Sequence, residues 1–225
     1  MARKLFYFVR HGESILNAEH RRQGSEGGLS PLGKEQAMMT GERLSRTHFD
    51  VMLVSPYERT KETAAIIAGQ IRFEKPVEYL ELLIERRNPS EIVGQPADDP
   101  KVRYIVDLID RSFHDDGFRY SDEENFTDLK ARAKQLLDYL ETREEKKFLI
   151  VTHSIFLKMV AAYMIHGDTL DSKEYNLLSY TNNSNNASIT VAEYKTSILG
   201  DNWLGNIFLP KENRWRLIAW DDYTR

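Results

Sequence analysis

Cysteine is absent from the 225-residue chain, which removes disulfides, thiolate metal sites and cysteine nucleophiles together. The same absence suits a reducing compartment, and a cytoplasmic location is the expectation. Long apolar runs are missing too. None approaches the about 20 residues that a membrane helix needs, so no membrane association is expected. The chain starts with a basic head, but only Leu5-Phe6-Tyr7-Phe8-Val9 precede Arg10, too short a stretch for the core of a signal peptide. Excess positive charge is lacking as well. A net charge of −4 offers no broad field for nucleic acid, so any anion must be recognised by local clusters of arginine. No internal repeat is present, and no linker is long enough to divide the chain, which reads as a single domain over residues 1–225.

What is present is an ordinary globular composition, 41% apolar and 29% charged, enough to bury roughly 70% of the unfolded surface. Strand and helix patterns alternate. Residues 5–9 and 148–151 read as buried strands, and Val51-Met52-Leu53-Val54 is a continuous apolar run of the same kind. Ser30-Pro31 is a cap followed by proline at the first helical position, opening a helix that ends near Arg46. Further helices are expected over residues 58–71, 129–140 and 155–165, with a short strand over 77–80. Alternation of Ile189, Val191 and Tyr194, and of Trp215, Leu217 and Ala219, predicts closing strands after a polar loop over 181–186. The pattern predicts a three-layer α/β/α sandwich with a mostly parallel central sheet. Between about residues 85 and 125 it lapses into polar sequence with one helix near 102–113, the look of a helical cap insertion over one end of the sheet.

Chemistry-bearing residues cluster just after three of these strands. Arg10-His11-Gly12-Glu13-Ser14 with Asn17 follows the first, Ser55-Pro56-Tyr57-Glu58-Arg59 with Thr63 follows the second, and Thr152-His153-Ser154 follows the strand over 148–151. Ligands of open α/β sheets bind in the crevice beyond the carboxyl ends of the strands. Two histidines and two arginines at that place suit a phosphoryl group, whose oxygens accept paired, charge-assisted hydrogen bonds from guanidinium forks.

These motifs, together with Arg22-Gln23-Gly24, Leu29-Ser30 with Gly33 and Gln36-Ala37, and Thr63-Ala64, resemble in order and spacing those of the histidine phosphatase (phosphoglycerate mutase-like) superfamily. The resemblance covers residues 4–165 and, more faintly, the closing strands. It implies that His11 attacks phosphorus and is transiently phosphorylated, that Arg10, Arg59 and His153 hold the equatorial oxygens, and that Glu85 protonates the leaving oxygen. It also implies substrate contacts from Asn17, Arg22, Gln23, Gly24, Arg86 and Ser154. Neither metal nor cofactor is required, and the expected partner is a small phosphorylated molecule. Glu13, Glu123 and Glu124 are the other candidate acids. After Glu85-Arg86 the chain reads Arg87-Asn88-Pro89-Ser90-Glu91, without the glycine-containing, more basic stretch of the mutase branch.

Blander readings stand beside these. Ser55 and Thr63 fit ordinary capping chemistry, and Arg21, Arg22, Arg86 and Arg87 fit solvated charges. His20, His48, His114 and His166 show no metal-ligand spacing. Tyr104, Phe113, Phe118 and Tyr120 make either a pocket wall or the insertion's own core. Asn186-Ala187-Ser188 matches a glycosylation pattern that has little meaning without a signal peptide. Two functions compete with a phosphatase: a mutase, which needs more cations around the substrate carboxylate and a tighter lid than the Asp98-Asp99 and Asp115-Asp116 pairs suggest, and a non-catalytic binder of phosphorylated ligands.

Overall fold

Alternation of side chains across the central strands decides which helices cover which face. The computed structural model describes residues 2–113, 115, 117–181, 184–196 and 215–223; His114, Asp116, Asn182 and Asn183 lie outside these described residues. Strands β1 (Ala2–Arg10), β2 (Val51–Val54), β3 (Glu78–Tyr79), β4 (Lys147–Thr152), β5 (Ile189–Thr196) and β6 (Trp215–Asp222) form one sheet. Its order is β3-β2-β4-β1-β5-β6. The β1–β4, β2–β4 and β2–β3 pairings are parallel, whereas β5 runs antiparallel to both β1 and β6. The sheet is therefore mostly parallel, with β5 alone opposed among the described strands.

Because neighbours in a strand point to opposite faces, Phe6, Phe8, Leu53, Phe148 and Ile150 bury one way, among residues of α5 (Phe126–Thr142) and α6 (Ser154–His166). Val9, Met52, Val54, Leu149 and Val151 bury the other way, with Leu44 of α2 (Pro31–Leu44) and Ala64 and Ile67 of α3 (Glu58–Ile71). This is the expected three-layer α/β/α arrangement. At Ser30 the side chain accepts from Gly33 N, and Pro31 opens α2, as the sequence predicts. Two helices go beyond the predicted set: the single turn α1 (Ile15–Ala18) and α7 (Ser172–Thr181). Among the described residues no helix is long and apolar enough to cross a membrane.

Residues 85–125 contain a short 3₁₀ turn, Ser90–Ile92, and α4 (Pro100–Ser112). Ile92, Val102, Ile105 and Ile109 make a small apolar cluster of their own, against which Phe118 and Tyr120 pack. Phe113 joins the main core on the α5–α6 face, and Tyr104 is 67% exposed. Phe113, Phe118 and Tyr120 thus fit the core reading better than the pocket-wall reading, whereas Tyr104 belongs to neither cluster. Asp99 caps α4 through Lys101 N and Val102 N, and Asp115 accepts from Gly117 N. These two acids serve local turns.

Two glycines bring α2 against the loop after β1. A Cβ at Gly12 would meet the Gly33 carbonyl, and one at Gly33 would meet the backbone of Glu13. The helix can approach this closely only because neither residue has a side chain.

Candidate active site

Three strand ends converge because β4 lies between β1 and β2. His11 N donates to Thr152 O at 3.0 Å and Ser55 N to Val151 O at 3.0 Å, so the residues leaving each strand are held side by side. The His11 and His153 rings stand with centroids 5.1 Å apart, and both side chains are buried, as is Arg59.

Hydrogen bonds set the orientation of each ring. His11 Nδ1 lies 2.6 Å from the Gly12 carbonyl, which can only accept, so Nδ1 carries the proton and Nε2 the lone pair. Gly12 is fixed in turn: its N–H donates to Thr63 Oγ1 at 3.1 Å, and that hydroxyl donates to Arg59 O at 2.7 Å. His153 Nε2 lies 2.8 Å from Ser55 Oγ, and Ser55 Oγ accepts from Tyr57 N at 3.5 Å. That hydroxyl keeps a proton it can give to His153 Nε2, the arrangement in which Nδ1 of His153 is the donor. Ser55 and Thr63 act on the two histidines, as well as in turn and helix geometry.

Burial, followed by the Arg59 charge, holds both imidazoles well below their ordinary value of 6.5. Both are neutral at pH 7. As pH falls below 6.5 the unfolded chain takes up protons that these folded imidazoles do not, so stability is complete above that value and is lost towards the lower folded values. Denaturant melts at pH 7 and pH 5.5 check this: wild type should lose stability more steeply than His153→Gln, by up to about 1.4 kcal/mol per pH unit.

The arginines are held by carbonyls. Arg59 Nη1 donates to Gly24 O at 2.8 Å, and its guanidinium lies 5.0 Å from the Tyr57 ring centroid. Arg10 Nη1 donates to Ser184 O. Burial lowers the Arg59 pKa to about 10, and burial lowers that of Arg10, against the opposing pull of Glu85. Arg10 Nε, Arg59 Nε and His153 Nδ1 are buried without a hydrogen-bond partner among the described residues. Orphaned donors of this kind are costly. Three around one histidine fit an anion that would accept from all of them.

Glu85 sits at the start of α6. Its Oε1 accepts from Arg86 N and Phe156 N, both at 2.9 Å, and Oε2 from Ile155 N at 3.2 Å. The other three carboxyls are committed elsewhere. Glu124 pairs with Arg132 at 2.7 Å, Glu123 accepts from Tyr120 N and Ser121 N, and Glu13 accepts from Ser30 Oγ. A cavity of about 340 Å³ adjoins Glu85 and is lined also by Gln23, Gly24, Tyr57, Arg86 and Asn88.

The sequence model of the histidine phosphatase superfamily (branch 1) matches residues 6–198. The chain belongs to that superfamily. A Citrobacter koseri relative bearing the name "Probable phosphoglycerate mutase GpmB" is 26% identical over 205 residues, 88% of this chain and 89% of the relative. Among solved structures, Bacillus stearothermophilus YhfR superposes with a TM-score of 0.78 at 24% identity, covering 98% of each chain. A mycobacterial glucosyl-3-phosphoglycerate phosphatase complexed with VO3 superposes with a TM-score of 0.70 at 19% identity, covering 97% of this chain and 99% of that one.

In this histidine phosphatase fold the remaining expected residues divide. Arg86 lies 5.7 Å from the Phe113 ring centroid, half-buried at the cavity. Asn17 closes a capping box with Ser14, and Ser14 Oγ is 3.1 Å from Gln23 Oε1; both side chains shape the loop after His11. Arg22 Nε is buried without a partner among the described residues. Ser154 is the first residue of α6. Two contributors escape the sequence reading. Arg132 bonds the carbonyls of Leu82, at 3.1 Å, and Ile84, at 2.8 Å, just ahead of Glu85, yet on an amphipathic helix it reads as a solvated charge. The segment 184–188 borders Arg10 and His11, whereas in the sequence its small polar residues read only as a connecting loop. No group of three or more His, Asp or Glu side chains among the described residues is arranged to hold a metal.

Proposed function

We propose that the protein hydrolyses small phosphomonoesters without a metal, through a phosphohistidine on His11. The observation that supports this most is the His11 imidazole fixed with Nδ1 on the Gly12 carbonyl, beside three buried donors, on Arg10, Arg59 and His153, that lack partners among the described residues. Neutral Nε2 forms the N–P bond as the ester P–O bond breaks. Glu85 gives the leaving oxygen its proton; Oε2, which accepts only the longer bond, is the oxygen suited to carry it. Water then attacks phosphorus, the N–P bond breaks, and the Glu85 carboxylate takes the proton that water loses. Because the transferred group is metaphosphate-like, most of the rate acceleration comes from positioning and from the charge on Arg10 and Arg59. Residues 85–125 act as the cap, with Arg86 and Asn88 facing the leaving group alongside Gln23. The proposed compartment is the cytoplasm, in keeping with the cysteine-free composition.

The Citrobacter koseri relative's name favours a second reading, in which the phosphoryl group returns to another hydroxyl of the substrate. Phosphate release from a panel of phosphomonoesters in chelator, with 3-phosphoglycerate isomerisation followed in the same tubes, separates the two. Hydrolysis of at least one ester at kcat above about 1 s⁻¹ is expected. Isomerisation without phosphate release would replace this reading by the mutase.

A further inference from the structure

The chain returns to the active site after α7, and the segment 184–188 that precedes β5 touches both leading catalytic residues. Ser184 O accepts from the Arg10 guanidinium. Ala187 N, at 3.2 Å, and Asn186 Nδ2, at 3.1 Å, both donate to the carbonyl of His11, while Ser188 O accepts from Arg10 N at 3.2 Å. Ala187 holds this bend with φ +57°, in the left-handed region that alanine disfavours, and its carbonyl accepts from Thr40 Oγ1 at 2.6 Å. Such a conformation persists only where its surroundings over-determine it.

Part of that determination comes from the edge strand. Pairing of β5 with β6 shifts register between Ile189↔Asp222 and Val191↔Ala219, so β6 carries an extra residue there, a β-bulge. Bulges re-aim side chains and are enriched at sheet edges and beside active sites. Within this one Asp221 adopts φ +48°, and its two carboxylate oxygens accept from Asn185 N and Asn185 Nδ2, each at 2.6 Å. Asp221 N donates to Thr190 Oγ1 at 3.2 Å.

We propose that Asp221 is a positioning residue: the bulged end of β6 clasps Asn185, and the clasp holds the 184–188 bend that sets the Arg10 guanidinium and the His11 backbone. Asp221 touches no reacting atom and acts through Asn185, Ser184 and Asn186. Its charge also favours the ionised form of Arg10. The turnover arm of the test rests on the hydrolytic reading above, whereas the binding arm does not.

The test is an exchange of the two side chains. In Asn185→Asp two carboxylates face each other. Asp221→Asn sets two amides together, and the oxygen of the introduced amide can still accept from the backbone N–H of Asn185. The double variant restores both bonds, with the amide now on the β6 side of the pair and the pair's charge unchanged. Turnover of p-nitrophenyl phosphate, calorimetric affinity for inorganic phosphate and the melting midpoint are measured on all four proteins. Asn185→Asp should lose about tenfold in kcat/KM and a similar factor in phosphate affinity, with the midpoint moved by less than about 4 °C. Asp221→Asn should lose about threefold, and the double variant should return to within about twofold of wild type. Single variants within twofold of wild type on both readouts, or a double variant no better than Asn185→Asp, would overturn the proposal. If wild type turns over no ester while phosphate affinity still follows this pattern, the hydrolytic reading fails and the positioning role stands.

Discussion

His11→Asn should lose at least about 10⁴-fold in phosphate release while keeping its melting midpoint and most of its affinity for inorganic phosphate. A nucleophile that forms a covalent bond has no substitute in an amide side chain, and catalytic groups that act as a unit fail together. Asparagine can still donate from Nδ2 to the Gly12 carbonyl that His11 Nδ1 contacts at 2.6 Å. Loop geometry is therefore expected to survive, and Arg10, Arg59 and His153 remain to bind the anion. Steady-state phosphate release, calorimetry with inorganic phosphate and a thermal melt check the three parts. Equal losses in turnover and phosphate affinity would mean that His11 holds the phosphate rather than attacking it.

Arg59→Met should abolish most activity yet stabilise the fold. Arg59 is 1% exposed and its Nε has no partner among the described residues. Its pKa, lowered to about 10 by burial, corresponds to about 3 kcal/mol by which the folded state disfavours the charged form. Methionine fills similar space without charge, and replacing a poorly compensated buried ion by an apolar side chain is often stabilising. Loss of the bond to Gly24 O offsets part of this. A net gain of about 1–2 kcal/mol is expected, alongside a fall of at least about 10³-fold in kcat/KM, since donors to a developing oxyanion carry factors of about 10²–10³ each. Inorganic phosphate should raise the melting midpoint of wild type but not of Arg59→Met, because binding to the folded state alone stabilises it. A destabilised Arg59→Met would show that the guanidinium is structural. Opposite signs for stability and activity are the usual mark of a functional group held at a cost.

Most of the first 165 residues is legible in the sequence because the buried strands are short continuous apolar runs and the helices carry caps. Val51–Val54, expected from four apolar residues, is a strand buried along its whole length. Ser30 and Pro31 mark the start of α2 in the sequence and in space. Strand order is not legible. That β4 inserts between β1 and β2 depends on pairing Phe148 with both Phe6 and Val51, far apart in the chain, which local periodicity does not encode. The helix α7 escapes the pattern because Ser172-Lys173-Glu174-Tyr175-Asn176 reads as polar surface, although Tyr175 is 3% exposed in the core.

Site residues follow the same division. Motifs at strand ends put Arg10, His11, Arg59 and His153 in one place, and the folded chain brings them together. Contributions from other elements are invisible in the sequence: Asp221 reaches the site through a bulge, and Arg132 through carbonyls on a distant loop. In the sequence Glu85 rests on its motif alone. Its bonds to Ile155 N and Phe156 N give the physical reason that its carboxyl lies at the start of α6, next to His153.

The most direct measurement is to mix the protein with a ³²P-labelled phosphomonoester in chelator, quench within milliseconds in base, and locate the label by mass spectrometry. A base-stable, acid-labile phosphoryl group on His11, appearing before free phosphate and absent from His11→Asn, is predicted. Phosphate released with no label on the protein, or label on any other residue, would contradict the account.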